Sequence, residues 1–212
     1  MDGQPRRCDD TIHPGKLLTI DSRTFRQILG RYATGVAMIT TATSDGRDVG
    51  VTVSSFGSVS LDPPLVLFSM GLSSNITPIF AESKKFVVNI LSYTQQDVSN
   101  RFARPSTADW QGIAVIRARN GLARLEQALA SIECDLEFSY PGGDHVIYVG
   151  RVTHCHAGAD AEPLLFFRSN YGTYLRGASV LPAESIDVSS GYDLAVIAGH
   201  SQIKFSASMF SE

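Results

Sequence analysis

Between positions 52 and 60 the chain carries five hydroxyl side chains, Thr52, Ser54, Ser55, Ser58 and Ser60, and no charge. In an extended strand side chains alternate, so Thr52, Ser54, Phe56, Ser58 and Ser60 are expected on one face. Val51, Val53 and Val59 then point the other way, toward a core. Hydroxyls and backbone N–H groups without charge can hydrogen-bond ring carbonyls and ring nitrogens, with no ion to desolvate. A flat, polar, neutral ligand suits such a surface; an ordinary Ser/Thr-rich edge strand is the plainer reading. His145 follows the Gly142-Gly143 turn, where a lone histidine either hydrogen-bonds at the surface or sits beside a ligand. His154-Cys155-His156 puts two imidazoles on one strand face, but zinc needs further ligands that the neighbourhood lacks. No metal site is expected, and the sequence offers no catalytic triad, no paired carboxylates and no Gly-x-Gly-x-x-Gly.

These residues need elements to hold them. Phe25, Ile28, Leu29 and Tyr32 follow helical spacing behind a candidate cap at Ser22. Residues 35–41 read as a buried strand, and the Asp45-Gly46 turn folds it back on the hydroxyl stretch, placing that stretch at or beside the sheet centre. After Pro63-Pro64 come a strand at 65–68, a helix at 78–83 capped from Ser73, Ser74 or Asn75, a strand at 86–91 and a short helix at 95–102. Residues 103–121 look like a loop with one weak strand. Ala130, Ile132, Cys134, Leu136, Phe138 and Tyr140 alternate with Ser131, Glu133, Asp135, Glu137 and Ser139, as in a half-buried strand. Further strands are expected at 144–152 and 163–167. Many short strands joined by a few helices predict a mainly β fold, a closed antiparallel barrel.

The 212 residues fit one domain with a proper core. A net charge of -3 argues against a nucleic-acid partner. Cys8, Cys134 and Cys155 are odd in number and widely spaced, as expected of free thiols in a reducing compartment. With no apolar leader over residues 1–12 and no run long enough for a bilayer, a cytoplasmic protein without membrane contact is expected.

Gly50-x-Thr52-x-Ser54-Ser55-Phe56, continued by Ser58-Val59-Ser60-Leu61-Asp62-Pro63-Pro64-Leu65-Val66, resembles the flavin-binding segment of the short-chain flavin reductases. These are the reductase components of two-component flavin-dependent monooxygenases, with an FMN-binding, Greek-key split-barrel fold. Arg31-Tyr32-Ala33-Thr34-Gly35-Val36, Phe86-Val87-Val88-Asn89-Ile90-Leu91, Gly143-Asp144-His145 with the strand after it, and Pro163-Leu164-Leu165-Phe166-Phe167-Arg168 with Tyr171 are similar to further family segments. The likeness spans residues 22–175, taken as the domain, between an arm at 1–21 and an extension at 176–212 in which residues 193–198 form one more element.

The resemblance implies roles. Thr52, Val53, Ser54 and Ser55 would line the isoalloxazine, with Ser58 and Ser60 near the ribityl or phosphate. Ser74 and Asn75 would approach the phosphate, although Ile76 stands where the family has a hydroxyl, and Thr77 is the nearest replacement. His145 would be the catalytic residue, beside the nicotinamide. Thr34, Asn89 and Tyr171 complete the implied flavin contacts, though a buried Asn in an apolar strand also has a purely structural reading. The implied activity is hydride transfer from NADH or NADPH to FMN or FAD, chemistry that the cofactors carry themselves. A partner oxygenase would receive the reduced flavin, and the chain would form a homodimer. A split-barrel oxidase that keeps its flavin and a non-catalytic flavin-binding module are the rivals. The absence of Lys and Arg from residues 48–83 disfavours the oxidase, whose phosphate-anchored substrates need a basic clamp.

Overall fold

The computed structural model describes residues 20–104, 109–158 and 160–174. Cys8, most of the expected arm, the extension at 176–212 and the element at 193–198 lie outside the described residues.

Helix α1 (Ser22–Leu29) is capped by Asp21, not Ser22: the carboxylate accepts both the N–H and the hydroxyl of Thr24 at 2.9 Å. The helical spacing is as expected, but its apolar stripe is not covered by any of the described residues. Ile28 is 60% and Tyr32 77% exposed, and no residue of α1 is buried. The strand expected at 35–41 is two: β1 (Thr34–Gly35) and β2 (Ala37–Ala42). They part at Val36, whose N–H turns to Leu164 while its carbonyl accepts from Leu91.

Strand β3 (Asp48–Val53) returns along β2 through a turn at Gly46, whose φ of 83° suits glycine. Then follow β4 (Gly57–Leu61), β5 (Pro64–Gly71), α2 (Thr77–Ser83), β6 (Lys85–Ile90), a 3₁₀ turn at Tyr93–Gln95 and α3 (Gln96–Phe102). The chain closes with β7 (Val115–Arg117), β8 (Ala123–Leu125), β9 (Ala130–Gly142), β10 (His145–Ala157), β11 (Leu164–Phe167) and β12 (Asn170–Thr173).

Seven strands form one antiparallel sheet in the order β3-β2-β6-β9-β10-β5-β4. The hydroxyl stretch is therefore not central and not one strand: β3 and β4 are the two edges, joined only by residues 54–56. A sheet whose opposite edges are consecutive in the chain must curl until those edges face each other, which makes the split barrel. Ser55 bridges the split, its hydroxyl accepting the Ser69 N–H at 3.0 Å and donating to the Ser69 carbonyl at 2.9 Å. Inside, Phe68 packs edge-on against Phe80 and Phe86 and stacks on Tyr148. Gly150 is required there, since a Cβ would lie 2.2 Å from the Phe86 ring. Val51 and Val53 reach this core as expected, but Val59 is 49% exposed. The β4–β5 register slips between Ser58 and Ser60, so Val59 is the extra residue of a bulge. Phe56, expected on the hydroxyl face, packs against the core.

The alternation along β9 holds for only part of its length. Cys134 is buried, and burial pushes its thiol up to about 12. Ser131 and Glu133 on the opposite face are buried too: the turn between β7 and β8 lies against Glu133, its Arg119 and Asn120 N–H groups donating to the carboxylate, and Ser131 donates to Asn89. Phe138 and Tyr140 are exposed, their rings paired with each other.

Candidate active site

The split between the barrel edges opens into a cleft of about 330 Å³. Its floor is the end of β3, Thr52 and Val53, and the crossing residues Ser54 and Ser55. Ser69, Met70 and Gly71 at the end of β5 form the facing wall, with Ser74 beyond them. His145, which opens β10 in register with Gly71, stands at one side, and Ala103 after α3 at the other. The sequence-based set thus divides. Thr52, Val53, Ser54, Ser55, Ser74 and His145 come together; Thr34, Ser58, Ser60, Asn75, Asn89 and Tyr171 do not line the cleft.

The reasons are specific. Thr34 pairs with Phe166 in the separate sheet β1-β11-β12. Ser58 and Ser60 lie on β4, past the crossing and on either side of the bulge. Asn75 is exposed in the turn before α2. Asn89 is fully buried, and its amide is spent within the protein. It donates to the Met38 carbonyl at 3.1 Å and Thr40 Oγ1 at 3.3 Å, and accepts from the Leu125 N–H at 2.9 Å and Ser131 Oγ at 3.3 Å. Asn89 thus has the structural role, and its side chain does not line the cleft. Tyr171 acts at one remove: its hydroxyl is 2.8 Å from Ser99 Oγ, and the Ser99 carbonyl accepts Thr52 Oγ1 at 2.9 Å.

The hydroxyls that do gather are not equivalent. Thr52 and Ser55 are committed to Ser99 and Ser69, so they shape the cleft more than they face a ligand. Val53 has its side chain in the core, which leaves its backbone to the cleft. Ser54 is exposed, and neither it nor the Ser69 hydroxyl has a protein partner among the described residues. Ser74 Oγ is buried and has no partner among the described residues. A buried hydroxyl left unpaired is costly, so a polar atom from outside the chain fits here.

Ile76, where a family hydroxyl was expected, is 4% exposed and part of the core. It stands at the N-cap of α2 with no side-chain cap. The candidate replacement, Thr77, donates its hydroxyl to the Gly71 carbonyl at 3.0 Å. The polar capacity at this end of the cleft is therefore concentrated on Ser74. His145 has Nδ1 2.7 Å from Asp144 Oδ1. That hydrogen bond, then the charges of His145 and Arg26, hold the Asp144 carboxyl below the usual range. Nε2 is left on the Gly71 side, where a Cβ on Gly71 would lie 3.9 Å from it. None of the residues lining the cleft is Lys, Arg, Asp or Glu.

Sequence reasoning missed Ser69, Met70, Gly71 and Ala103. The strand read as ending at Phe68 continues as Ser69-Met70-Gly71, where apolar Phe68 and Met70 alternating with Ser69 was the available signal. Nothing local marks Ala103, which reaches the cleft by the packing of α3 on β3.

The flavin reductase like domain model matches residues 29–175. The FMN reductase (NADH) SmoA of Agrobacterium fabrum is 40% identical over 164 residues, covering 74% of this chain and 88% of that protein. HsaB of Rhodococcus jostii, the reductase subunit of a flavin-dependent monooxygenase, is 40% identical over 152 residues, covering 72% and 77%. Among solved structures, the flavin reductase PheA2 superposes with a TM-score of 0.68 at 36% identity, covering 74% of this chain and all of that one.

Proposed function

The chain belongs to the flavin reductase like family, and from that premise we infer that it is an NAD(P)H-dependent flavin reductase supplying reduced flavin to a partner monooxygenase. The observation that carries this reading is a cleft with no Lys, Arg, Asp or Glu in its lining, in which the buried Ser74 Oγ has no partner among the described residues. When bound, the flavin supplies the ring that accepts a hydride from NADH or NADPH. The protein's task is then to hold two flat groups together and keep water out, a positioning effect.

Each residue takes a part in that task. Ser54 and Ser69 offer free hydroxyls to the flavin, FMN or FAD, and Val53 offers backbone. Ser74 answers a phosphate or ribityl oxygen. Thr52 and Ser55 keep the floor and the split in place. His145, steadied by Asp144, holds a ring nitrogen beside the nicotinamide. The lack of any cation in the lining supports a reductase over an oxidase with a phosphate-anchored substrate. Multiple-turnover NADH oxidation in the presence of added flavin separates a reductase from a non-catalytic module; flavin that binds without turnover would favour the module.

A homodimer belongs to the same proposal. The uncovered stripe of Phe25, Ile28, Leu29 and Tyr32 is what a symmetric partner would cover. The domain is taken as residues 22–175. The free thiols Cys134 and Cys155 support a cytoplasmic setting, and among the described residues no helix is long and apolar enough to cross a membrane.

A further inference from the structure

The last turn of α3 is a meeting point. Phe102 lies over β3 at Gly50, where a Cβ would come within 2.9 Å of the ring. The Ser99 carbonyl accepts twice, from the Ala103 N–H at 3.0 Å and from Thr52 Oγ1 at 2.9 Å. A carbonyl oxygen has two lone pairs, so both bonds are held at once. Ala103 and Thr52 both line the cleft, one at its side and one on its floor. Their spacing is therefore tied to a single atom, the Ser99 oxygen. Ser99 itself is fully buried, and its hydroxyl is 2.8 Å from that of Tyr171. Tyr171 is fixed in turn: it pairs with Phe166 across β11 and β12, and the two rings meet edge-on with centroids 5.3 Å apart.

A serine within a helix can bond back to the carbonyl four residues earlier, here that of Gln95, and this bends the helix. The Tyr171 hydroxyl gives Ser99 another partner. We propose that Tyr171 is a positioning residue for the flavin: through the Ser99 hydroxyl it holds the last turn of α3, and so fixes how far the Ala103 wall stands from the Thr52 floor. The assignment rests on the flavin reductase reading and adds a residue outside the cleft that sets its width. Without the Tyr171 hydroxyl, the buried Ser99 hydroxyl turns back on Gln95, and the carbonyl that carries Thr52 and Ala103 shifts with the helix. Ala103 stands on the other side of the cleft from His145, so the place of the flavin changes and that of the nicotinamide does not.

The test titrates FMN and FAD into the full chain and its variants, with turnover measured beside it. Tyr171→Phe should bind flavin several-fold more weakly than the parent. Its KM for flavin should rise by a like factor, while its KM for NADH stays with the parent. Ser99→Ala should also weaken flavin binding. The two changes together should cost no more than the worse of them alone, because both break the same hydrogen bond. Val87→Ala separates positioning from lost stability: Val87 is fully buried in the cluster with Ala118 and Leu122, so this variant should melt lower and bind flavin like the parent. Parental flavin affinity in Tyr171→Phe, additive losses in the double variant, or an equal loss of affinity in Val87→Ala overturns the proposal and leaves the reductase reading standing. A parent without flavin affinity overturns both.

Discussion

Ser54, Ser55 and Ser74 look alike in the sequence and do different work. Ser54→Ala removes a free hydroxyl, so flavin affinity should fall several-fold, about 0.5–1.5 kcal/mol, with the melting temperature unchanged. Ser55→Ala strips a partner from Ser69 at the split, and here the apo protein should melt lower. Ser74→Ala should bind flavin more weakly while the apo form is as stable as the parent or more so, since an unpaired buried hydroxyl is removed. A Ser74→Ala protein that binds flavin like the parent would place the phosphate elsewhere. Glu133, which the strand alternation placed on a solvent face, is 1% exposed. Burial raises its pKa, but the His156 hydrogen bond at 2.8 Å and the N–H groups of Asn120 and Arg119 outweigh that and leave it below its ordinary value. A carboxyl depressed in the folded state stabilises above its unfolded pKa, and that contribution is lost as pH falls through the folded one. Glu133→Gln should therefore be less stable at neutral pH, by about 1.5–3 kcal/mol, and the gap to the parent should narrow as pH falls below the ordinary glutamate range. A gap that is constant with pH would contradict the ionised form.

Among the elements, the β2–β3 hairpin was legible because Asp45-Gly46 is a local signal, the β6 and β10 strands because of their apolar runs, and β9 because its apolar and polar residues alternate. What stayed hidden depends on contacts distant in sequence. The hydroxyl stretch gives no local sign that it breaks at residues 54–56 or bulges at Val59. Those features come from wrapping the sheet until its edges meet, and they decide why Ser54 and Ser55 reach the cleft and Ser58 and Ser60 do not. The buried Glu133 needed the β7–β8 hairpin, whose second strand was not foreseen. Helix α1 is the reverse case, since its amphipathic pattern was plain and what its apolar stripe covers lies outside the described residues. Leu29→Glu should leave the fold intact and turn a dimer into a monomer, as followed by light scattering at micromolar concentration. A parent that is monomeric and fully active, or a variant that stays dimeric, would contradict the assigned role of the stripe.

At the scale of the whole molecule, a barrel left open along one seam supplies a cleft walled by strand ends and lined by hydroxyls, backbone and one histidine, with no Lys, Arg, Asp or Glu. A fold used this way predicts chemistry that depends on bringing nicotinamide and flavin together and on little else. His145→Ala should accordingly slow reduction without abolishing it, because hydride transfer from nicotinamide to flavin is carried by the cofactors themselves. The most direct test is anaerobic mixing of the protein with FMN or FAD and with NADH or NADPH, following the flavin absorbance. Rapid bleaching with at least one pair, far faster than without protein, is the predicted result. Flavin that binds in the cleft and stays oxidised with both nicotinamides would contradict the account.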